Sequence, residues 1–202
     1  MRYPNGMCMR RIIVTMWVTL DGFIAGPKGE MDWVTSIYDE AMGQYEIDFL
    51  TAADTLILGR VTYQSFAGSW PKVPENPSVS EQEKAYAAEL NAMKKIVFSK
   101  TLEKAEWENS MVFRAIAPEE IKKIKQEPGK NIIIYGSASI VQELTNLGLI
   151  DEYQILMHPV ILGDGKPLFK GVRTKHELEL IKTKVNPSGV VILYYRPKIG
   201  VG

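Results

Sequence analysis

The sequence predicts an α/β fold, with a mixed but mostly parallel sheet, helices on both faces and an antiparallel hairpin at the C-terminal edge. Between residues 12 and 157, short apolar runs alternate with stretches in which apolar residues recur at helical spacing. The end of the chain differs, because residues 177–185 and 190–196 are two strand-like segments joined by Asn186-Pro187-Ser188-Gly189. Such turn residues between two strands favour an antiparallel hairpin.

Length and charge limit the possible classes of function. A chain of 202 residues predicts one domain, which we place at residues 9–198, with residues 1–8 as a disordered extension. Lys plus Arg and Asp plus Glu are 24 each, so the formal net charge is zero. A neutral chain lacks the positive field that drives binding to nucleic acid or anionic membranes. We therefore expect a small-molecule partner.

The cysteine count and the hydropathy pattern bear on metal binding and location. Cys8 is the only cysteine, and the two histidines are His158 and His176, which predicts no metal site built from these ligands. No apolar run approaches the roughly 20 residues that span a bilayer. The N-terminus also lacks the apolar stretch of a signal peptide. These features favour a soluble cytoplasmic protein.

The chain begins with a strand, a long loop and a helix. Residues 12–18 are almost entirely apolar, which predicts a buried strand, and the breaker-rich residues 21–29 predict a loop beside its end. After this loop, an apolar stripe at helical spacing predicts a helix. The stripe consists of Tyr38, Met42, Tyr45 and Phe49.

The middle of the chain adds two strands, a loop and a capped helix. Residues 56–58 predict a strand, whereas residues 67–79 contain three prolines and predict an irregular loop. Ser80 and Glu83 have the spacing of a capping box, which predicts that a helix begins there. A short strand is expected at residues 111–113.

The remaining elements continue the alternation up to the hairpin. Pro118-Glu119-Glu120 has the chemistry of a helical first turn, and Pro128-Gly129 predicts the end of that helix. The strand at residues 131–135 leads into a helix that Gly148 ends, and residues 152–157 resume strand character. The apolar strand of the hairpin lies either at the sheet edge or inside the sheet.

Three segments, residues 56–63, 96–101 and 132–139, each pass from an apolar strand into small or hydroxylated residues. The first and third continue into amphipathic helices, so the free N–H groups and positive dipole ends of these helices can face a diphosphate. The second places a lysine and two hydroxyl groups at a strand end, which suits the 2′-phosphate of NADPH. Together they indicate a nicotinamide cofactor pocket and hence a reductase.

Short motifs occur in a shared order along almost the whole chain, from about Arg11 to Arg196. They are Thr19-Leu20-Asp21-Gly22-Phe23-Ile24-Ala25, Asp32-Trp33-Val34-Thr35-Ser36, Leu58-Gly59-Arg60, Val97-Phe98-Ser99-Lys100, Gly136-Ser137-Ala138-Ser139-Ile140, and Leu149-Ile150-Asp151-Glu152 followed by Pro159-Val160-Ile161-Leu162-Gly163. With these motifs the chain resembles the dihydrofolate-reductase-like superfamily, in particular the C-terminal reductase domain of the bifunctional riboflavin-biosynthesis deaminase/reductase RibD and its stand-alone relatives.

The resemblance implies a three-layer dihydrofolate-reductase-like fold and an NADPH-dependent reductase, as a homodimer. The substrate would be a small heterocycle, reduced at a C=N or C=O bond with chemistry of the phosphoribosylaminouracil-reductase or folate-reductase type. The loop from Leu20 to Trp33 would cover the nicotinamide and the substrate. The implied cofactor-binding residues are Ala25, Gly59, Arg60, Val61, Thr62, Ser99, Lys100, Thr101, Tyr135, Gly136, Ser137, Ala138, Ser139 and Ile140.

The substrate side is less defined by the sequence. Asp21 and Asp32 are the candidate catalytic carboxylates, and Thr15 and Trp33 are the candidate substrate contacts. Asp21 could instead cap the turn that it makes with Gly22. Asp32 could instead be the N-cap of a short helix. Water ordered near Thr15, Asp21 or Asp32 could deliver the proton, and the sequence does not choose among them.

The chain departs from the family pattern at two places. Many relatives have Gly-Gly, often with a cis peptide, where this chain has Gly136-Ser137, and the sequence leaves that geometry open. The riboflavin reductases carry an acidic Asp-Asp-Pro-Arg segment that contacts the substrate, whereas this chain has residues 65–71, Ser-Phe-Ala-Gly-Ser-Trp-Pro. The substrate therefore stays open. The alternative function is a noncatalytic nucleotide-binding or regulatory protein that retains the cofactor pocket.

Overall fold

An eight-stranded mixed sheet lies at the centre of the computed structural model, which describes residues 9–198. The extension expected at residues 1–8 lies outside the described residues. The strands are β1 (Ile12–Thr19), β2 (Phe23–Ala25), β3 (Ala53–Gly59), β4 (Lys94–Phe98), β5 (Ser110–Phe113), β6 (Asn131–Tyr135), β7 (Glu152–His158), β8 (Lys166–Pro167), β9 (Leu178–Val185) and β10 (Val191–Pro197). The helices are α1 (Asp32–Thr35), α2 (Glu40–Thr51), α3 (Arg60–Ser69), α4 (Glu81–Ala92), α5 (Pro118–Gln126) and α6 (Ala138–Asn146), with a 3₁₀ helix at Trp70–Glu75.

The strand order in the sheet is β5-β4-β3-β6-β1-β7-β10-β9. The strands from β5 to β7 pair in parallel, whereas β10 is antiparallel to both β7 and β9. This arrangement confirms the predicted mixed, mostly parallel sheet and its C-terminal hairpin. No helix among residues 9–198 combines the length and the apolar character that a membrane span requires.

The sheet order shows which strand of the C-terminal hairpin lies at the edge. The apolar strand β10 is internal, and β9 forms the edge. Leu180, Ile181 and Val185 of β9 are 50%, 45% and 69% exposed. An edge strand with exposed apolar side chains is open to pairing with another chain. The homodimer implied by the resemblance stays a prediction.

Alternation along β1 explains the three layers of the fold. Successive side chains of a strand point to opposite faces of the sheet. Ile12 and Val14 face the core beneath α5 and α6, whereas Ile13 faces the core beneath α2, α3 and α4. Both faces of this strand are covered by helices, and for that reason its residues are apolar at nearly every position. The central parallel strands are thereby fixed on both sides.

The connections of β3 and β6 open a crevice at one edge of the sheet. These two strands are parallel neighbours, and α3 and α6 follow them directly. Tyr63 of α3 packs in the core with α2 and α4, whereas Ile140 of α6 packs on the opposite face with α5. Adjacent strands whose connections leave on opposite faces create a crevice at their carboxyl ends, where ligands bind in open α/β sheets.

Several local predictions are confirmed and two are wrong. Ser80 caps α4 by accepting a hydrogen bond from the backbone N–H of Glu83 at 3.1 Å. Tyr38, which was expected in the helical stripe, lies outside α2, because Asp39 is the N-cap and accepts from the backbone N–H of Met42 at 2.8 Å. The irregular loop expected at residues 67–79 is confined to residues 76–79, because residues 67–75 form the end of α3 and the 3₁₀ helix. Proline is compatible with a first helical turn, since that turn needs no N–H donor.

A buried lysine fastens the start of β4. Lys95 is 0% exposed, and its Nζ donates to the carbonyl oxygens of Asn91 at 2.6 Å and Glu108 at 3.1 Å. The Nζ atom also lies 4.2 Å from the ring centroid of Trp107. Burial lowers the pKa of Lys95 to about 8. The lysine therefore joins the end of α4 to the loop before β5.

We expect Lys95→Met to lower the free energy of unfolding by about 2 kcal/mol, because it removes the charged donor from two partly buried carbonyl groups. Urea denaturation at pH 7 measures the loss. Lys94→Met is the matched control, since Lys94 is partly exposed and makes a surface ion pair with Glu127 at 3.3 Å, a contact typically worth about 0–1 kcal/mol. If both variants lost the same free energy of unfolding, the contacts of Lys95 would not contribute to stability beyond those of a surface lysine.

Candidate functional site

The starts of α3 and α6 are joined through one hydroxyl group. The Oγ of Ser137 accepts a hydrogen bond from the backbone N–H of Gly59 at 2.8 Å and lies 2.8 Å from the Oγ1 of Thr62. A Cβ atom at Gly59 would lie 2.8 Å from that Oγ, so the approach requires glycine. Two of the three predicted cofactor segments thus meet at the crevice.

The backbone at the start of α6 has an unusual conformation. Gly136 and Ser137 both have positive φ, 77° and 68°, and the peptide bond between them is trans. A left-handed conformation suits glycine but costs a serine about 1–2 kcal/mol. A Cβ atom at Gly136 would lie 3.0 Å from the Cγ2 of Thr62. The chain therefore forms a narrow cradle of backbone and hydroxyl groups here.

The cradle has the properties of an anion site. Gly59 is the N-cap of α3 and Ser137 is the N-cap of α6, and neither helix has a side-chain cap bond or an acidic residue in its first turn. The first N–H groups of a helix lack intrahelical partners, and the helix dipole favours negative charge there. Both helix starts therefore fit the diphosphate of a nucleotide cofactor.

The other residues of these two segments differ in exposure. Val61 is 69% exposed and Arg60 is also exposed, with its Nη1 donating to Gln64 at 3.0 Å. Ile140 is 5% exposed, and its N–H donates to the carbonyl of Ser137 at 3.0 Å, so it packs in the core. Ala138 is half-buried and Ser139 exposed at the start of α6.

The second predicted segment forms a turn beside the cradle. Gly59 and Phe98 are register partners, so the turn after β4 begins next to the start of α3. The Oγ of Ser99 accepts from the N–H groups of Thr101 at 3.2 Å and Leu102 at 2.9 Å. Lys100 and Thr101 are exposed. The structure thus brings all three segments to one edge of the sheet.

Asp21 joins the loop after β1 to the loop after β7 at the same edge of the sheet. Its carboxylate accepts from the hydroxyl of Thr19 at 2.6 Å and from the N–H groups of Leu162 at 3.0 Å and Gly163 at 2.7 Å. The bond from Thr19, followed by the two backbone N–H groups, holds the pKa of Asp21 below its usual value. Asp21 therefore caps the loop after β7 rather than the turn at Gly22.

The loop from Leu20 to Trp33 is more ordered than its glycines suggest. Ala25 is buried in β2, which pairs with β8, and the N–H of Leu20 donates to the carbonyl of Val160 at 2.8 Å. A strand as short as the two-residue β8 has no recognisable sequence pattern, so this two-stranded sheet was not predicted.

Asp32 and Trp33 begin α1 at the end of that loop. The N-cap is Met31 and makes no side-chain cap bond, so the alternative that Asp32 is the N-cap is wrong. Asp32 is exposed. Trp33 is 6% exposed and meets His158 edge to face, with ring centroids 4.9 Å apart. Among the described residues, its buried Nε1 has no hydrogen-bond partner.

His158 is the last residue of β7, and Thr15 lies in the middle of the neighbouring strand β1. The Nδ1 of His158 bonds to the carbonyl of Leu156 at 2.9 Å, and burial lowers the pKa of this histidine. Thr15 is 4% exposed, and its Oγ1 lies 3.4 Å from the hydroxyl of Tyr45, which donates to Gln154 at 2.6 Å. Thr15 is therefore enclosed beneath α2.

Sequence reasoning missed one buried carboxyl group. Glu46 of α2 is 5% exposed and accepts hydrogen bonds from Tyr135 at 2.5 Å and Tyr38 at 2.7 Å. Burial raises the pKa of Glu46, and the two tyrosine hydroxyls partly oppose this effect. The position of Glu46 could have predicted its burial, since residue 46 shares the apolar face of the helix with Met42 and Phe49.

A raised pKa in the folded state means that folded Glu46 keeps its proton to higher pH than unfolded Glu46. Its contribution to stability is therefore present below the ordinary glutamate pKa and is lost as pH rises through the folded pKa. We expect Glu46→Gln to remove this fall, as measured by urea denaturation between pH 4 and pH 8. Asp48→Asn, an exposed change on the same helix, should keep the wild-type slope. An unchanged slope in Glu46→Gln would contradict the assignment.

The fold and the crevice define an α/β protein in which two helix starts without side-chain caps meet at the carboxyl ends of parallel strands. Residues 10–192 match the family model of the RibD C-terminal domain, and the chain belongs to that family. The protein YyaP of Bacillus subtilis (strain 168), described as uncharacterized, is 41% identical over 192 residues, covering 95% of this chain and 97% of YyaP. YwjB of the same organism, also described as uncharacterized, is 31% identical over 187 residues, which cover 93% of this chain and 98% of YwjB.

Solved structures share the fold at low identity. A putative riboflavin biosynthesis protein from Shewanella sp. PV-4 has a TM-score of 0.72 at 21% identity, covering 93% of this chain and 99% of that chain. RibD of Acinetobacter baumannii has a TM-score of 0.66 at 18% identity, covering 94% and 58%. Dihydrofolate reductase from Enterococcus faecalis, complexed with NADP(H), has a TM-score of 0.57 at 16% identity, covering 93% and 96%. The predicted family and dihydrofolate-reductase-like fold are confirmed, and the family supports a reductase-type function.

Proposed function

We propose that this protein is an NADPH-dependent reductase that acts on a C=N or C=O bond of a small heterocycle. The family supports a reductase, and one observation carries the cofactor assignment. That observation is the junction of Gly59 with Ser137, which places two uncapped helix starts side by side. Two helix starts at one crevice match the two phosphate groups of a dinucleotide.

The residues of the cradle have distinct roles in this proposal. The first N–H groups of α3 and α6, with the hydroxyls of Thr62 and Ser137, hold the diphosphate. Lys100 in the turn after β4 contacts the 2′-phosphate. The bound cofactor supplies the hydride, and the protein contributes binding, orientation and exclusion of water.

Aromatic rings beside the cradle suit a planar substrate. The half-buried ring of Trp17 lies 6.1 Å from Tyr135 and 6.5 Å from His158, centroid to centroid. His158 in turn contacts Trp33. Rows of aromatic rings offer flat apolar surface to a heterocycle. Asp32 is the exposed carboxylate at the start of α1, and we propose it as the catalytic group on this side.

The cofactor assignment predicts the effect of adding one methyl group at Gly136. Gly136→Ala should weaken NADPH binding at least tenfold, because the new Cβ presses on Thr62 at 3.0 Å inside the cradle. Gly148→Ala is the control, since Gly148 also has positive φ, 64°, but has open space around it at the far end of α6. Both variants carry a similar backbone cost of about 1–2 kcal/mol. Fluorescence titration with NADPH compares them, and equal affinities would move the cofactor site elsewhere.

The substrate assignment predicts a role for the charge of Asp32. Asp32→Asn should lower turnover at least about tenfold while cofactor affinity stays unchanged, since a positioned acid or base contributes about 10²–10⁴ in rate. Oxidation of NADPH with pterins, folates and aminopyrimidines identifies a substrate first. Asp48→Asn, which makes the same change at an exposed residue of α2, is the control and should leave turnover unchanged.

Two results of that experiment would contradict the proposal. Unaltered turnover in Asp32→Asn would exclude Asp32 and make Asp21 the next carboxyl group to test. Binding of NADPH without oxidation by any of these substrates would favour the noncatalytic nucleotide-binding alternative.

A further inference from the structure

Three side chains form a continuous hydrogen-bonded path from the protein surface toward the cradle. Tyr38, which lies just before α2, is 44% exposed, and its hydroxyl lies 2.7 Å from the Oε2 of Glu46. Glu46 is 5% exposed, and its other oxygen, Oε1, lies 2.5 Å from the hydroxyl of Tyr135. Tyr135 is the last residue of β6 and is followed directly by Gly136 of the cradle. The two oxygens of one carboxyl group thus link an exposed hydroxyl to a buried one.

The surroundings of Glu46 favour a carboxyl group that carries a proton. Burial raises its pKa, and the hydrogen bonds of the two tyrosines oppose this only in part. The titratable groups around it are tyrosines, namely Tyr38 before α2, Tyr45 on α2, Tyr86 on α4 and Tyr135 on β6. Among residues 9–198, its carboxyl group makes no ion pair. A buried carboxyl group without a cation is more stable as the acid than as the anion.

The two tyrosines of the path keep their own protons. Burial and then the charge of Glu46 raise the pKa of both Tyr38 and Tyr135. Glu83 and Asp39 raise that of Tyr38 further by smaller amounts. A hydroxyl group both donates and accepts, so each tyrosine can pass a proton on while it takes another and needs no charged form. When Glu46 carries its proton, one of its two contacts reverses, because a carboxylic acid donates through its O–H.

The inner end of the path lies beside the aromatic rings to which the proposed function assigns the substrate. The ring of Tyr135 meets that of Trp17 edge to face, with centroids 6.1 Å apart, and lies 5.9 Å from that of Phe66. Tyr135 is 9% exposed. Its position is therefore between the cradle, which we assign to the diphosphate, and the rings, which we assign to the heterocycle.

We infer that Glu46 stores the proton that completes the reduction and passes it to the substrate through the hydroxyl of Tyr135. The inference rests on the proposed function, because it supplies the proton for that reaction. A hydride from NADPH forms the new C–H bond, and the electron pair of the broken π bond goes to the nitrogen or oxygen of the substrate. That atom takes the hydroxyl proton of Tyr135. Tyr135 takes the proton of Glu46, which becomes a carboxylate, and solvent restores that proton through Tyr38.

Conservative variants remove one link of the path at a time. Glu46→Gln keeps the size of the side chain but cannot store a proton, and Tyr135→Phe keeps the ring but loses the hydroxyl. Each should lower turnover at least tenfold, since a positioned proton donor contributes about 10²–10⁴ in rate. Tyr153→Phe is the matched control, because it removes a tyrosine hydroxyl that lies 2.9 Å from Thr145 in the core on the opposite face of the sheet. Its turnover should equal that of wild type.

The pH profile and the first turnover separate proton storage from packing. Wild-type turnover requires the acid form of Glu46, so it should fall as pH rises through the raised pKa of this group. Glu46→Gln should give low turnover without this fall. Tyr38→Phe should keep the wild-type rate in the first turnover, because Glu46 already holds its proton. Its later turnovers should be slower, because the carboxylate regains a proton more slowly.

Infrared difference spectroscopy gives a readout that needs neither cofactor nor substrate. The carbonyl stretch of a protonated carboxyl group should disappear as pH rises through the pKa of Glu46. The same titration of Glu46→Gln should lack this band. Thermal melting of each variant checks that the fold is retained.

The possible outcomes separate this inference from the proposed function. Wild-type turnover in Glu46→Gln or Tyr135→Phe would overturn the proton path and leave the reductase proposal standing. Low turnover in Glu46→Gln with an unchanged pH profile would mean that Glu46 only supports the structure, and absence of its infrared band in the wild type would overturn proton storage. Unchanged later turnovers in Tyr38→Phe would overturn the assignment of Tyr38. Wild-type protein that binds no NADPH would instead overturn the proposed function, and this inference with it.

Discussion

The hydrogen bond from the N–H of Gly59 to the hydroxyl of Ser137 fixes the geometry on which the crevice depends. β3 and β6 lie side by side, but α3 and α6 leave toward opposite faces of the sheet. The side chain of Ser137 spans this gap and contacts Thr62 as well. It does so from a left-handed backbone conformation that is unfavourable for serine. An unfavourable conformation retained at a junction of this kind is typical of a functional site.

The distribution of charge follows from the same junction. At the amino ends of the strands, Arg10 contacts Asp54 and Arg11 contacts Glu152, so these cations are neutralised within the protein. At the carboxyl ends, two helix dipoles and the exposed Arg60 and Arg114 place positive charge, and neither arginine makes an ion pair with another of residues 9–198. Like charges brought together destabilise the free protein slightly. A bound anion would relieve that repulsion, and stability should then be coupled to cofactor binding.

Sequence patterns predicted the elements whose structure depends on contacts between residues close in sequence or on a periodic apolar face. The parallel strands, the capping of α4 by Ser80 and the C-terminal hairpin all follow from spacing and turn chemistry. The contacts that sequence reasoning missed join distant residues. Glu46 is buried because Tyr135 meets it from β6, and Asp21 caps Leu162 and Gly163 in a loop far along the chain. Arg114 follows a four-residue strand that carries no motif, so only the sheet order places it beside Lys100.

The segment that departs from the riboflavin reductases has a structural role that bears on the substrate. Where those relatives have an acidic, substrate-contacting segment, this chain has the end of α3 and the start of the 3₁₀ helix. The ring of Phe66 lies 5.9 Å from that of Tyr135, and the ring of Trp70 lies 4.9 Å from that of Tyr86, so this segment adds apolar surface next to both tyrosines. A buried charge requires a paired partner, so an apolar surface of this kind differs in chemistry from an acidic segment. The departure that the sequence shows at residues 65–71 is therefore also a departure in the packing around Tyr135 and Tyr86.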